Sequence, residues 1–294
     1  MEFAFGIIGI CYVFSPLLVW GLVHWHWSRI GKDPVLLQKT IIPQYEPFQN
    51  LPPAVIGVVV DTKVNNFDVT ATLLDLAVRG YLRIENHSAV TKHFGGKVHY
   101  YKTVDYRLIL LKQDFSKDQV LFDYERELLR VVFANQLTEV SIQVAVQRIA
   151  QQLKPLRLTL YTTAVHLGLF TQPADIWRQR YFSVSRILFW IGFITSIVGI
   201  GIPFIFYGII FRVYSRWMAQ RTVLGMQAVQ WSEGFKLFLH HAERYRAQRL
   251  TIEQAERILP YVVVLKLQIP AWQFELPHLP ETENFFQATS DIRE

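Results

Sequence analysis

An uncharged run of apolar residues near the start of the chain limits the folds that the sequence can adopt. No residue between Phe3 and Val23 carries a charge. At about 1.5 Å of rise per residue, a helix of this length matches the roughly 30 Å hydrocarbon layer of a bilayer. Trp25 and Trp27 follow the run, where tryptophan side chains settle among lipid headgroups. The sequence therefore predicts a transmembrane anchor over residues 1–27.

A second apolar run, from Ile187 to Phe211, allows two interpretations within residues 184–214. It could form one tilted span, or a hairpin of two short helices that turns at the sequence GIGIP. Length favours the single span, because each half of a hairpin would be only about 22 Å long. Charge favours the hairpin, because arginines flank both ends of the run and cytoplasmic loops are rich in Lys and Arg. We favour the hairpin, and the side of the membrane that holds the C-terminus depends on this choice.

The charges around the first run predict its orientation. Arg29 and Lys32 follow the run, whereas only Glu2 precedes it, so the positive-inside rule places the chain from Ser28 onward in the cytoplasm. A formal net charge of +6 with 51% hydrophobic residues also suits a membrane protein with cationic flanks. The sequence predicts an integral protein of the inner (plasma) membrane whose soluble core faces the cytoplasm.

The stretch DVTATLLDLAVRGYLRIEN, residues 68–86, is typical of a helix that leads into a strand. Asp68 or Thr70 can cap the helix, an apolar stripe follows, and Gly80 can adopt the left-handed conformation that ends it. The segments YLRIEN and DYRLILL alternate apolar and polar residues, which predicts two antiparallel strands joined by a long wing-like loop. This order of elements is typical of a winged-helix DNA-binding module.

A similar order of elements follows, with DYERELLRVVFA as a helix, TEVSIQ as a short strand, and VAVQRIAQQL and LRLTLYTTAVHLG as helices. The sequence therefore predicts an α+β membrane protein with tandem winged-helix-like units at residues 51–115 and 116–180. An extended linker at residues 28–50 joins them to the first run. A mixed α+β domain unrelated to DNA-binding folds is the alternative.

The sequence of residues 215–294 predicts a helical cytoplasmic region. Apolar residues from Leu224 to Tyr245 recur at steps of three and four, which indicates a long amphipathic helix. The sequence TIEQ, which begins at Thr251, has the pattern of a capping box, and we expect the helix that it opens to stop by Pro260. The segment YVVVLKLQIPAW indicates a buried strand or a short apolar helix.

The polar residues of the first helix argue against DNA binding. Outside its apolar stripe this helix offers two carboxylates, Asp68 and Asp75, and one guanidinium, Arg79, so it would repel a phosphate backbone. Asp75 and Arg79 are four residues apart, and a surface ion pair worth a few tenths of a kcal/mol explains both. A membrane-tethered nucleic-acid-binding regulator is therefore the second function that we consider.

The loop between the two predicted strands mixes basic and aromatic side chains. They are Lys92, Lys97, Lys102, Tyr100 and Tyr101. Such a mixture can contact lipid headgroups or a partner. A mobile hairpin tip without a ligand is the alternative explanation.

Motifs that carry chemistry are missing from the sequence. It contains no Gly-rich phosphate loop, no nucleophile elbow and no His-Glu-x-x-His motif, and Cys11 is its only cysteine. We expect no enzymatic activity, no cofactor, no metal site and no small-molecule substrate. An enzyme whose active site is built from residues distant in sequence is the third function that we consider.

Several short motifs connect the chain to a known family. GKDP, PQYEP, DVTATLLDLAVRGYL, YERELL, RTVLG and ILPYVVVL occur in this order. Together they resemble the YciQ-like predicted membrane proteins, a bacterial family with a domain of unknown function, from about Trp27 to Trp272. The family-like motif residues are Gly31, Asp33, Pro34, Thr70, Asp75, Arg79, Gly80, Tyr81, Arg221, Thr222, Gly225, Pro260 and Tyr261.

The resemblance implies the cytoplasmic, C-terminal region of such a protein and supplies no catalytic residue. Family members look like proteins with a large extracytoplasmic domain before the span and commonly a Gly-rich tail. This sequence begins at the apolar run and ends in ETENFFQATSDIRE, so the resemblance does not carry over a sensing or ligand role tied to those two parts. The sequence thus predicts a membrane-anchored protein-interaction or assembly module. Its partners would be the lipid bilayer and another protein, and we do not expect nucleic acid to be a partner.

Overall fold

The computed structural model describes residues 2–36, 40–92, 100–134, 137–198, 201–245 and 251–267. It is mostly helical, at 68%, with one small three-stranded sheet. The strands are β1 (Leu82–Lys92), β2 (Tyr100–Leu110) and β3 (Glu139–Ser141). The α-helices are α1 (Glu2–Ile30), α2 (Pro53–Asp61), α3 (Asn66–Val78), α4 (Asp123–Val132), α5 (Ile142–Gln151), α6 (Leu153–His166), α7 (Ala174–Thr195), α8 (Ile202–Ser215), α9 (Val223–Tyr245) and α10 (Ile252–Val264).

The chain forms two compact units, each made of two separate stretches of sequence. Unit 1 contains residues 1–38 and 164–227, and unit 2 contains residues 39–163 and 228–294. The sequence of unit 1 therefore interrupts that of unit 2.

Three helices, α2, α3 and α10, pack against one another in the core of unit 2. The sequence of α2 is PAVIGVVVD, so this helix is apolar on almost every side and is buried from Pro53 to Val59. In α3 every residue from Asp68 to Leu74 is buried. A helix enclosed in this way presents almost no side chain to a DNA groove.

The sheet of unit 2 has the order β1-β2-β3 with antiparallel neighbours. The pairing of β1 with β2 runs from Leu82↔Leu110 to Lys92↔Tyr100. The short strand β3 pairs with the last part of β2, from Arg107 to Ile109. Alternate residues of β1 and β2, including Ile84 and Leu108, are buried, as expected for a sheet with one face on the core.

The prediction of tandem winged-helix-like units is wrong. Because β3 pairs with β2, the segments 51–115 and 116–180 contribute strands to one sheet and do not form two separate modules. The core of the first segment also includes α10, which comes more than half the chain later. Alternating hydrophobicity predicts that a strand exists, but it does not identify the partner of that strand.

Two helices of unit 1, α7 and α8, pack antiparallel as a helical hairpin. Small residues allow their backbones to approach, since a Cβ atom on Gly192 would lie 2.8 Å from the Ile205 nitrogen. The Ser185 hydroxyl donates a hydrogen bond of 2.8 Å to the Gly208 carbonyl oxygen across the same contact. The run that allowed two interpretations therefore contains two packed helices.

The helix α1 packs on α8 around a small buried cluster that includes Val23, Tyr181 and Tyr214. His24 Nδ1 lies 2.9 Å from the Tyr214 hydroxyl, and His26 Nδ1 lies 2.6 Å from the Tyr181 hydroxyl. The two histidines thus bind different partners and do not converge on one site.

The predicted transmembrane anchor at residues 1–27 and the second membrane segment at 184–214 are overturned. No described helix combines the length and the apolar character that crossing a bilayer requires. The second run is divided between α7, which carries Arg178, Arg180 and Arg186, and α8, which has only 14 residues.

Local signals at helix ends were predicted with mixed success. Gly80 has a φ of 73° after α3, and Thr251 forms a capping box with Gln254, so both predictions are confirmed. The predicted N-cap of α3, Asp68 or Thr70, is wrong, because Asn65 is the N-cap. The Asp68 side chain instead accepts a hydrogen bond from the backbone N–H of Asn65. Pro260 also lies inside α10, where burial against α2 and α3 offsets the missing hydrogen bond.

Candidate functional site

Unit 2 contains an open cavity of about 1130 Å³. Its lining includes the aromatic residues Tyr45, Phe122, Phe235, Phe238 and Tyr261 and the polar residues Glu46, Asn50, Asp75, Arg79, Gln254 and Arg257. Ligand sites in proteins combine apolar walls with a few placed polar groups in this way. The cavity is therefore the candidate functional site.

One wall of the cavity is an extended segment that lies against α9. A Cβ atom on Gly234 would lie 2.1 Å from the Ile42 carbonyl oxygen, so only glycine lets the segment approach this closely. The Trp231 Nε1 group then donates a hydrogen bond of 2.8 Å to the Glu46 carbonyl oxygen. These contacts fix the wall that carries Tyr45 and Glu46.

The cavity lining includes Asp75 and Arg79, and Arg79 also contacts Glu125 behind the lining; we call these three charged residues the buried charge cluster. One guanidinium nitrogen of Arg79 lies 2.8 Å from Asp75 Oδ2 and 2.5 Å from Glu125 Oε1. The Glu125 side chain is 0% exposed and also accepts hydrogen bonds from the Phe122 N–H and the Tyr124 hydroxyl. A single cation thus balances two carboxylates, one of which has no access to water.

Burial raises the pKa of Asp75 from 3.8 to about 6, although the Arg79 guanidinium opposes this change. Burial also raises the pKa of Tyr124 and of Tyr261, both of which lie near the carboxylates. Burial lowers the pKa of Arg79, but Asp75 and Glu125 raise it by more, so its guanidinium stays charged. The carboxyl group of Asp75 therefore exchanges its proton close to neutral pH.

The free energy of unfolding is expected to depend on pH through Asp75. Because the pKa is raised in the folded state, stability falls as pH rises through the window between the unfolded and folded pKa values. A rise from 3.8 to about 6 corresponds to a loss of up to about 3 kcal/mol across that window.

The variant Asp75→Asn separates this effect from other titrating groups, such as the buried Asp68, whose pKa is also raised. Urea unfolding of the full chain in neutral detergent, followed by tryptophan fluorescence, is measured at several pH values from about 4 to about 7. Relative to the variant, the unaltered protein should lose stability over this range. Parallel pH profiles for the two proteins would contradict the raised pKa.

A family model described as "Predicted membrane protein (DUF2207) C-terminal domain" matches residues 42–268. The chain belongs to the DUF2207 family. The resemblance predicted from the motifs is thereby confirmed, and the family description supports a membrane localisation in general. Searches among curated proteins and among solved structures found no match.

Seven of the DUF2207-like motif residues lie in unit 2: Thr70, Asp75, Arg79, Gly80, Tyr81, Pro260 and Tyr261. Asp75, Arg79 and Tyr261 line the cavity directly. The Tyr261 hydroxyl donates a hydrogen bond of 3.0 Å to the Leu51 carbonyl oxygen, which ties α10 to the segment before α2. Tyr81 lies 5.5 Å from the Arg79 guanidinium carbon and donates to Asp118.

The other motif residues of the DUF2207 chain lie in unit 1: Gly31, Asp33, Pro34, Arg221, Thr222 and Gly225. Arg221 Nη1 lies 2.6 Å from Asp33 Oδ2, and the backbone N–H of Arg221 donates to the second oxygen of the same carboxylate. The Thr222 hydroxyl donates to the Gly168 carbonyl oxygen, and a Cβ atom on Gly225 would lie 2.1 Å from the Leu169 carbonyl oxygen. These residues hold chain segments together and do not line the cavity.

Glu125 is the member of the buried charge cluster that the sequence did not predict. It occurs in the motif YERELL and precedes the buried residues Leu128, Leu129 and Val132 by three, four and seven positions. That spacing places a carboxylate on the buried face of an amphipathic helix. A buried carboxylate requires a cation, and Arg79 is that cation.

The basic and aromatic loop residues predicted as headgroup or partner contacts are Lys92, Lys97, Lys102, Tyr100 and Tyr101. Their side chains lie outside the part of the chain that the structure describes. In the described part, no group of three or more His, Cys, Asp or Glu side chains could hold a metal ion.

Proposed function

We propose that this DUF2207 protein is a membrane-associated interaction module whose cavity in unit 2 binds a segment of a partner protein. The cavity carries the proposal, because its volume and aromatic walls suit apolar or aromatic anchor side chains. Two residues of the lining, Glu46 and Arg257, are exposed, so they can contact polar groups of the partner around the anchor side chain.

Unit 1 supplies the membrane contact in this proposal. Many of its large apolar side chains are exposed, among them Phe14, Leu17, Leu18, Ile187, Trp190, Ile194, Phe206 and Ile209. A surface of this kind is usual where a protein meets lipid or another protein. We propose the inner membrane, with unit 2 on the cytoplasmic side, because anionic lipids of that leaflet attract the arginines of unit 1.

The cavity favours binding over catalysis. No Ser, Thr, Cys, Lys or His is among the described residues that line it. The carboxylates of Asp75 and Glu125 face one guanidinium. The hydroxyl that donates to Glu125 belongs to Tyr124, which is buried and does not line the cavity, so it is not placed to attack a ligand there.

Site-specific photo-crosslinking in native membranes tests partner binding. Val120 lines the cavity and is 69% exposed, so a photoreactive residue fits there without entering the core. Leu158 on α6 is 54% exposed, lies outside the cavity lining and is the matched control. We expect a discrete adduct with a second protein at position 120, several times stronger than any at position 158.

The substitution Ile258→Trp narrows the cavity from its α10 side and should reduce the adduct at position 120. Equal adducts at positions 120 and 158, or an adduct that Ile258→Trp leaves unchanged, would show that the cavity is not the binding surface.

A further inference from the structure

Two arginines of unit 1 lie against the same aromatic ring. Arg186 belongs to α7 and Arg212 to α8, and their guanidinium carbons lie 5.6 Å and 4.1 Å from the centre of the Phe182 ring. Both arginines are exposed, and neither has an ion-pair partner among the described side chains. Two neighbouring positive charges repel each other unless an anion lies between or beside them.

The composition of unit 1 leaves this charge uncompensated. The unit contains eight Lys and Arg residues but only three Asp and Glu residues. One of the three, Asp33, is already paired with Arg221. The excess positive charge of unit 1 therefore favours binding of an anion beside the arginine pair.

The surroundings of the arginine pair indicate what kind of anion fits. Ile187 follows Arg186 on α7, and Ile209 and Val213 lie beside Arg212 on α8, and all three are exposed. A ligand that combines an anionic group with hydrocarbon chains would cover both the charges and these side chains. Free inorganic phosphate would cover only the charges.

We propose that Arg186 and Arg212 bind the phosphate group of an anionic phospholipid whose acyl chains lie along the exposed apolar residues of the hairpin. Guanidinium groups donate paired N–H hydrogen bonds to phosphate oxygens, and a bound phosphate removes the repulsion between the two arginines. This inference rests on the proposed lipid contact of unit 1, and it is independent of partner binding by the cavity.

Native mass spectrometry of the full chain in neutral detergent tests the site. The probes are short-chain phosphatidylglycerol, which is anionic, and phosphatidylcholine, which has no net charge. The double variant Arg186→Gln/Arg212→Gln should bind phosphatidylglycerol roughly 30-fold more weakly, since each basic residue near a phosphate contributes a factor of about five. Binding of phosphatidylcholine, whose ammonium group offsets the charge of its phosphate, should weaken much less.

The control Arg83→Gln/Arg130→Gln removes the same charge from exposed positions of unit 2 and should leave both lipids bound as before. Unchanged phosphatidylglycerol binding by the Arg186→Gln/Arg212→Gln variant would overturn the site. Displacement of phosphatidylglycerol by an equal concentration of inorganic phosphate would overturn the lipid as the ligand. If the unaltered protein binds both lipids equally, the proposed phosphate site is wrong, but the proposed contact of unit 1 with lipid is not contradicted. If it binds neither lipid, the proposed lipid contact is itself wrong.

Discussion

Replacement of Arg79 by methionine is expected to lower the free energy of unfolding by about 3 to 5 kcal/mol at neutral pH. The substitution keeps most of the side-chain volume but removes the only cation of the buried charge cluster. Glu125, which is 0% exposed, then has no charge partner, and an uncompensated buried carboxylate is strongly destabilising. Urea unfolding of the full chain, followed by tryptophan fluorescence, measures the loss.

A second variant distinguishes charge from packing. The double variant Arg79→Met/Glu125→Gln also removes the unpaired carboxylate, so it should lose less stability than Arg79→Met alone. The control Arg83→Met removes an arginine of β1 that is 57% exposed and lies 3.8 Å from Glu85. It should change stability by less than about 0.5 kcal/mol. Equal effects of the two substitutions would refute the structural importance of the cluster.

The second large effect is expected from Gly57→Ala in α2. A Cβ atom at this position would lie 2.1 Å from Asp68 Oδ1 and 2.3 Å from Val264 Cγ2. The Asp68 side chain cannot turn away easily, because its other oxygen accepts the Asn65 N–H and the whole residue is buried. The helices α2, α3 and α10 must therefore separate slightly, at a cost of about 3 kcal/mol.

A matched glycine in α1 provides the control for Gly57→Ala. A Cβ atom on Gly21 would have no atom within 4 Å, so Gly21→Ala should raise stability by up to about 1 kcal/mol through helix propensity alone. The double variant Gly57→Ala/Val264→Ala removes one of the two close contacts and should recover part of the loss, although it leaves a smaller side chain in the core. If Gly57→Ala and Gly21→Ala have the same effect, the three helices are not packed as closely as described.

The existence of several helices and some of their end signals were predictable from the sequence, because those signals are local. The TIEQ capping box and the glycine after α3 depend only on residues within one or two helical turns. Pro260 was interpreted wrongly for the same reason, since the packing that keeps α10 helical beyond it comes from α2 and α3, roughly two hundred residues earlier. Local preference is routinely overridden when tertiary burial is extensive.

The candidate site was the part least accessible to sequence reasoning. The Asp75 and Arg79 pair was predicted as a minor surface interaction, because a spacing of four residues indicates nothing about a third charge. Glu125 is 46 positions away from Arg79, and the pairing of β3 with β2 could not be deduced from alternation. The role of Gly234 could not be predicted either, because a close approach between two backbone segments that are distant in sequence produces no periodic pattern.

The interruption of unit 2 by unit 1 also affects how the protein is made. After α3 leaves the ribosome, more than half of the chain must still be synthesised before α10 can cover it. Translation adds about 5 to 20 residues per second, so the apolar faces of α2 and α3 stay uncovered for roughly 10 to 30 s before α10 is synthesised. During translation these helices are therefore exposed to aggregation, and a nascent chain that stops before residue 252 should be recognised by chaperones or proteases as unfinished.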